Sequence, residues 1–254
     1  MTVPSIFPSA RTRHLVLSRR AACAVALLLF LTAACAPTPD DALQSGEESV
    51  DSGTAGTTET AEAISLFDGE SLEGWERHMG LPEDQVGGKW EVIDGAIEGD
   101  QDPPGHGGFL VTTEEFGDFE LELETQLDYP VDSGIFLRVG EDGKSHQVTL
   151  DYREGGSIGS IYLPWTQAGV YTNPDGMEKF QEDAWNDVRV RIEGEPSRIR
   201  FWLNGELVTD FQHTAETTQG VPRQGTIGLQ VHPGESYEAG KKVRFRNIQI
   251  WPLG

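Results

Sequence analysis

The chain has 254 residues, with 42 acidic against 19 basic side chains and a formal net charge of −23. So acidic a chain repels nucleic acid and anionic lipid surfaces, which argues against nucleic acid as a partner. Its two cysteines, Cys23 and Cys35, both lie near the N-terminus, so the rest of the chain carries no disulfide, cysteine nucleophile or thiolate metal site.

Residues 1–35 read as an export signal. Arg11, Arg13, Arg19 and Arg20 form a positive stretch, and Ala21 to Ala34 an apolar one too short to span a bilayer as a mature helix. The segment ends in LTAAC, which resembles a bacterial lipobox with Cys35 as the lipidated residue. The expectation is a cell-envelope lipoprotein, periplasmic or outer-membrane associated, held through an N-terminal lipid anchor. Once this segment is removed, 15 basic residues face 42 acidic ones.

Residues 36–63 are rich in Ser, Thr, Gly, Asp and Glu. They hold too few large apolar groups to offset the entropy of ordering, so they read as a tether. The folded part is then a single domain over 64–254, long enough to bury a substantial core.

That domain alternates short apolar runs with turn signals. WLNGEL places Asn204–Gly205 between two alternating runs, which predicts a hairpin with a type I′ turn, and DGAIEG predicts a weaker one. No stretch of a dozen residues carries a 3.6 period; 81–87 and 178–184 have room for a helical turn. Many short strands at regular spacing predict an all-β sandwich or jelly roll.

Parity along the strands sorts the side chains. In HQVTLDY, Gln147, Thr149 and Asp151 share one face, and His146 lies on the other with Val148, Leu150 and Tyr152. In GIFLRV, Arg138 and Phe136 oppose Ile135, Leu137 and Val139. In TIGLQVH, Gln230 and His232 oppose Ile227, Leu229 and Val231. Each strand thus offers an apolar face to a core and a second face carrying a few long polar groups, where a carbohydrate can lie.

The order and spacing of ISLFDGESLEGW, KWEVIDGAIEG, GGFLVTTEEFGDFELELET, DSGIFLRVG, AWNDVRVRIEG, FWLNGELV, GTIGLQVH and VRFRNIQIWPL resemble the 3-keto-disaccharide hydrolase family over about 64–252. The resemblance implies a concanavalin A-like jelly-roll β-sandwich. It also implies cleavage of glycosides already oxidised to a ketone at C3. The ketone acidifies the C2 proton, a base removes it, the C1 substituent leaves by elimination, and water adds afterwards. Such a site needs a base, an acid and an electrophile for the enolate oxygen. A divalent metal is one candidate electrophile, its ligands unassigned.

Two positions depart from the family pattern. Gln147 stands where a carboxylate is usual, and Asp132-Ser133-Gly134 replaces Asn-Ser-Gly. An amide is neither a base nor a charged ligand. The alternative reading is therefore a non-catalytic carbohydrate-binding module of an envelope assembly. For the enzyme, Asp151 and His232 are the expected acid/base groups and Arg138 the enolate binder, with His146 as a further candidate. Gln147, Tyr162, Trp165 and His106 are expected to contact substrate: the aromatics by stacking on sugar rings, His106 from the loop PPGHGG.

The strand FELELET raises a separate question. Glu120, Glu122 and Glu124 project from one face. They read as a solvated or groove-edge row, as supporting carboxylates, or as a glycosidase pair like that of jelly-roll β-glucanases.

Overall fold

The computed structural model describes residues 62–166, 168–218, 220–234 and 240–254. The export signal, Cys35 and nearly all of the tether lie outside the described residues. Fifteen strands form in the described part. The first five are β1 (Ile64–Ser65), β2 (Trp75–Arg77), β3 (Lys89–Ile93), β4 (Ala96–Asp100) and β5 (Gly108–Thr112). The next five are β6 (Phe119–Leu127), β7 (Val131–Val139), β8 (His146–Tyr152), β9 (Ile158–Leu163) and β10 (Ala168–Tyr171). After a four-residue helix α1 (Gly176–Lys179) come β11 (Asn186–Glu193), β12 (Arg198–Leu203), β13 (Glu206–Gln212), β14 (Thr226–Val231) and β15 (Val243–Pro252). The first segment with room for a helical turn contains a 3₁₀ turn at Glu83–Gln85, whereas α1 begins before the second and overlaps it only at Glu178 and Lys179.

The strands make two antiparallel sheets. One runs β13-β12-β11-β6-β15-β4-β3, with β1 also paired to β15. The other runs β10-β9-β8-β7-β14-β5-β2. Their facing sides share one core, in which Leu121, Leu123, Val190, Phe201, Phe245 and Ile250 from the first sheet meet Ile135, Leu137, Val148, Leu150, Ile161 and Leu229 from the second. Strict alternation produces this. β6 buries every second residue along its length, and β11 does the same. The two hairpins fall where the sequence puts them. Asn204 and Gly205 are both at positive φ, as are Asp94 and Gly95, which the I′ geometry requires.

The glutamate row lies on the outer face of the first sheet. Glu120 sits 3.8 Å from both Arg189 and Arg191 on β11. Glu124 takes two bonds from Arg246 on β15, at 2.8 and 2.6 Å, and one from Asn247. Cross-strand ion pairing is what an alternating acidic strand gains between two basic neighbours. The guanidiniums of Arg189 and Arg246 also lie over the rings of Trp202 and Trp185, at 4.1 and 4.0 Å.

β7 departs from alternation and is buried along its whole length. Arg138 has φ +55°, and the register to β14 shifts between Thr226 and Gly228. This bulge turns Val139 to the side of Phe136, Phe109 and Val111. Arg138 therefore does not share a face with Phe136, as simple parity predicts. It points toward the first sheet and is only 2% exposed. There its Nε donates to Gly117 O (2.8 Å), its Nη1 to Ser197 Oγ (3.0 Å) and Gly194 O (3.4 Å), and its Nη2 to Asp118. Burial pulls its pKa down and Asp118 pulls it back up.

His146 faces the core, as parity predicts. Its ring lies 4.2 Å from that of His213, and among the described residues neither of its nitrogens has a hydrogen-bond partner. Burial drives the pKa of His146 down to about 2 and that of His213 to about 4, so both rings are neutral.

Candidate functional site: a cavity on the seven-stranded sheet

A cavity of about 680 Å³ opens on the outer face of the β10-β9-β8-β7-β14-β5-β2 sheet. Antiparallel register assembles it. On β7 and β8, Asp132 lies opposite Asp151, Gly134 opposite Thr149 and Phe136 opposite Gln147. On the far side of β8, Gln147 pairs with Tyr162 of β9, which pairs with Gly169 of β10. On the other flank, β14 supplies Gln230 and, just beyond its end, His232.

Two like charges directly across a ladder repel. Arg153 resolves the conflict. Its Nε and Nη2 fork onto Asp151 at 2.6 and 2.9 Å, and Nη2 also reaches Asp132 at 2.7 Å. Arg153 continues the alternation Gln147–Thr149–Asp151, so the pattern that points to Asp151 also places Arg153 on the site face, although it lies past the apolar run that marks the strand. The guanidinium's pKa is raised, first by its bond to Asp151.

Asp132 is the most deeply set carboxylate here, 8% exposed. Burial raises its pKa, and the nearby Asp151 charge adds to the rise. His232 and Arg153 oppose it. His232 Nε2 lies 3.5 Å from Asp132 Oδ2. The Tyr162 hydroxyl is raised by burial and then by Asp132. In the sequence Asp132 stands out only as a departure from a motif. Its burial on a central strand made it a site residue.

Gln147 and Gln230 form a neutral floor, with Gln147 Nε2 donating to Gln230 Oε1 at 3.2 Å. The Gln147 side chain lies over Gly134, where an added Cβ would come within 2.4 Å of its Nε2. Only glycine leaves room for it.

Of the residues expected at a site, Asp151, His232, Gln147 and Tyr162 line the cavity together. Arg138 does not, because the bulge turns it to the other side of its sheet. His146 is in the core. Trp165 sits in the turn after β9, whose neighbour Pro164 lines the cavity while Trp165 itself does not. His106 lies half-buried in the loop before β5 and is not among the lining residues. Arg153, Asp132, Gln230 and Tyr171 line it as well.

The donor set does not fit a divalent metal. Among the described residues, no three His, Cys, Asp or Glu side chains converge as ligands. Within the cavity, Arg153 already takes the position between Asp132 and Asp151 that a dication would need.

A family model described as a 3-keto-alpha-glucoside-1,2-lyase-like domain matches residues 62–251. A 3-keto-disaccharide hydrolase of Bacteroides thetaiotaomicron is 37% identical over 239 residues, spanning 74% of this chain and 77% of that protein. Among solved structures, a Bacillus subtilis protein with a galectin-like fold superposes with a TM-score of 0.55 at 11% identity, over 75% of this chain and 94% of the other. The Bacillus licheniformis β-glucanase superposes at 0.52 with 13% identity, over 78% and 100%. These likenesses establish the jelly-roll fold.

Proposed function

The chain belongs to the family of 3-keto-alpha-glucoside-1,2-lyase-like domains, and from that premise we propose that it cleaves 3-keto-glycosides by elimination and hydration in the cavity of the seven-stranded sheet. The observation that carries the reading is the buried Asp132 beside His232, with Arg153 at the same carboxylate.

In this reading His232 removes the C2 proton of the keto-sugar. The C1–O bond breaks, its electrons leave with the glycosidic oxygen, and a C1–C2 double bond conjugated to the ketone remains. Asp132, whose raised pKa favours its protonated form, gives its proton to the departing oxygen. Arg153 spends Nε and Nη2 on the aspartates and turns Nη1 to the enolate oxygen. Water then adds at C1, a proton returns to C2, and the products are those of hydrolysis. Asp151, held by both ends of its carboxylate, orients Arg153 and does not act as the base. Gln147 and Gln230 bind hydroxyls, and Tyr162 offers a ring face.

The test is release of 4-nitrophenol from 4-nitrophenyl 3-keto-glucoside, with the unoxidised glucoside as control and with and without chelator. Release from the keto form alone, unaffected by chelator, is expected. Binding without release would support the second reading, a non-catalytic carbohydrate-binding module, which the amide at position 147 favours. Anchoring to the cell envelope through a lipidated Cys35 is part of the proposal. Cys35→Ser should then move the protein from the membrane fraction to the soluble one, and unchanged partitioning would refute it.

A further inference from the structure

His232 and Pro233 stand on a segment past the end of β14, outside the sheet's hydrogen-bond ladder. A histidine there needs something else to fix it. Gln101, one residue past β4 in the opposite sheet, supplies it. The side chain is buried, and all of its amide's polar atoms are used. Its Nε2 donates to the carbonyl oxygens of His232 (2.8 Å) and Gly234 (3.0 Å), and its Oε1 accepts the Gly105 N–H (2.8 Å). Gly234 N–H closes the arrangement on Gly105 O at 2.8 Å. On the other side, the backbone at Gly107 lies so close that an added Cβ would be 2.0 Å from Val231 O and 2.7 Å from the His232 carbonyl carbon. The loop between β4 and β5 thus grips the backbone on both sides of His232.

We propose that Gln101 is a positioning residue that sets the His232 imidazole against Asp132. It touches neither substrate nor the reacting atoms; it acts through the backbone of the residue that does. The proposal rests on reading Asp132 and His232 as the acid–base pair. It deepens that reading by tying the pair to the opposite sheet through one neutral amide. Glutamate cannot replace it, since a carboxylate does not donate to two carbonyls. Neither can a shorter amide, which would not span the distance.

Removing the amide partly frees the segment, so the His232 imidazole shifts from Asp132 and its lowering effect on the Asp132 pKa weakens. The groups that face Asp132 are His232, Asp151, Arg153 and Tyr162. Only His232 sits on the freed segment.

The experiment follows the Asp132 carboxyl by carbon NMR across pH in the full-length, ligand-free protein, with the signal assigned through Asp132→Asn. His232→Ala sets the limit for complete loss of the imidazole's effect on Asp132. In Gln101→Met the midpoint should rise toward that limit, by about half a pH unit or more. Turnover of the keto-glucoside should fall about tenfold with KM changed less than about twofold. Gln101→Ala, which removes the amide without adding bulk, serves as the second variant if the first does not fold. A folded variant with the wild-type midpoint overturns the proposal, even where its melting temperature has dropped. A shifted midpoint in a protein whose wild type releases no aglycone would leave the positioning role standing and remove the cleavage function.

Discussion

Arg138→Met separates the structural from the catalytic reading of the one cation that strand parity pointed at the site. The substitution keeps the apolar stem and deletes the guanidinium. Three neutral acceptors, Gly117 O, Gly194 O and Ser197 Oγ, lose a donor in a place that is nearly inaccessible to water. Asp118 loses its charge partner, but its side chain is 36% exposed and Oδ2 still accepts the Gly194 N–H at 3.0 Å. Breaking a buried pair from one side costs about 3–5 kcal/mol, and the partly solvated Asp118 puts this case at the low end, about 3 kcal/mol. For a domain of this size that is a fall in Tm of about 6–12 °C. Urea unfolding followed by tryptophan fluorescence gives the stability, and aglycone release per folded molecule gives the activity. Turnover should stay within about twofold of wild type. Wild-type stability combined with lost turnover would refute the placement of Arg138 away from the cavity.

Asp132→Asn should cut turnover by a factor of about 100 or more while leaving the domain as stable as wild type or more so, because burial penalises an ionised form that the amide cannot adopt. The sign follows from its raised pKa: the Asp132 contribution to stability is full below pH 3.8 and is lost as pH rises through the folded value, so the variant should lose that dependence in urea titrations at several pH values. The histidine pair acts the other way. With folded pKa values of about 2 and about 4, its contribution is full above pH 6.5 and falls as the solution is acidified, by about 2 kcal/mol per ring at pH 5. His146→Leu should therefore flatten the stability profile between pH 7 and pH 5, and an unaltered profile would count against neutral burial. Gly134→Ala should displace the Gln147 side chain and raise KM several-fold with little change in kcat, measured by steady-state kinetics. Glu120→Gln should leave turnover unchanged, since its carboxylate faces Arg189 and Arg191 on the sheet opposite the cavity; a large loss would revive a glucanase-type role for the glutamate row.

Much of this protein is legible in its sequence because a strand's side chains have a period of two. FELELET, DVRVRIE and HQVTLDY each declare which residues face the core, and the structure keeps those faces. The hairpins at Asn204–Gly205 and Asp94–Gly95 are equally local, set by residues that tolerate positive φ. Gln147, Asp151 and His232 could be singled out on the same grounds. Parity failed where the backbone stopped being regular. The bulge at Arg138 cannot be read from GIFLRV, and it turned the expected enolate binder into a buried tie between the two sheets. The role of Asp132 was hidden for a different reason. Its burial comes from lying on a central strand beneath neighbours distant in sequence, and its partner His232 is 100 positions along the chain. Trp165 and His106 sit on connections whose direction no periodicity fixes. The sequence determines the strands and their inward faces, because those follow from local stereochemistry. Tertiary pairing decides which polar residues meet, because register, bulges and buried charge exist only between strands.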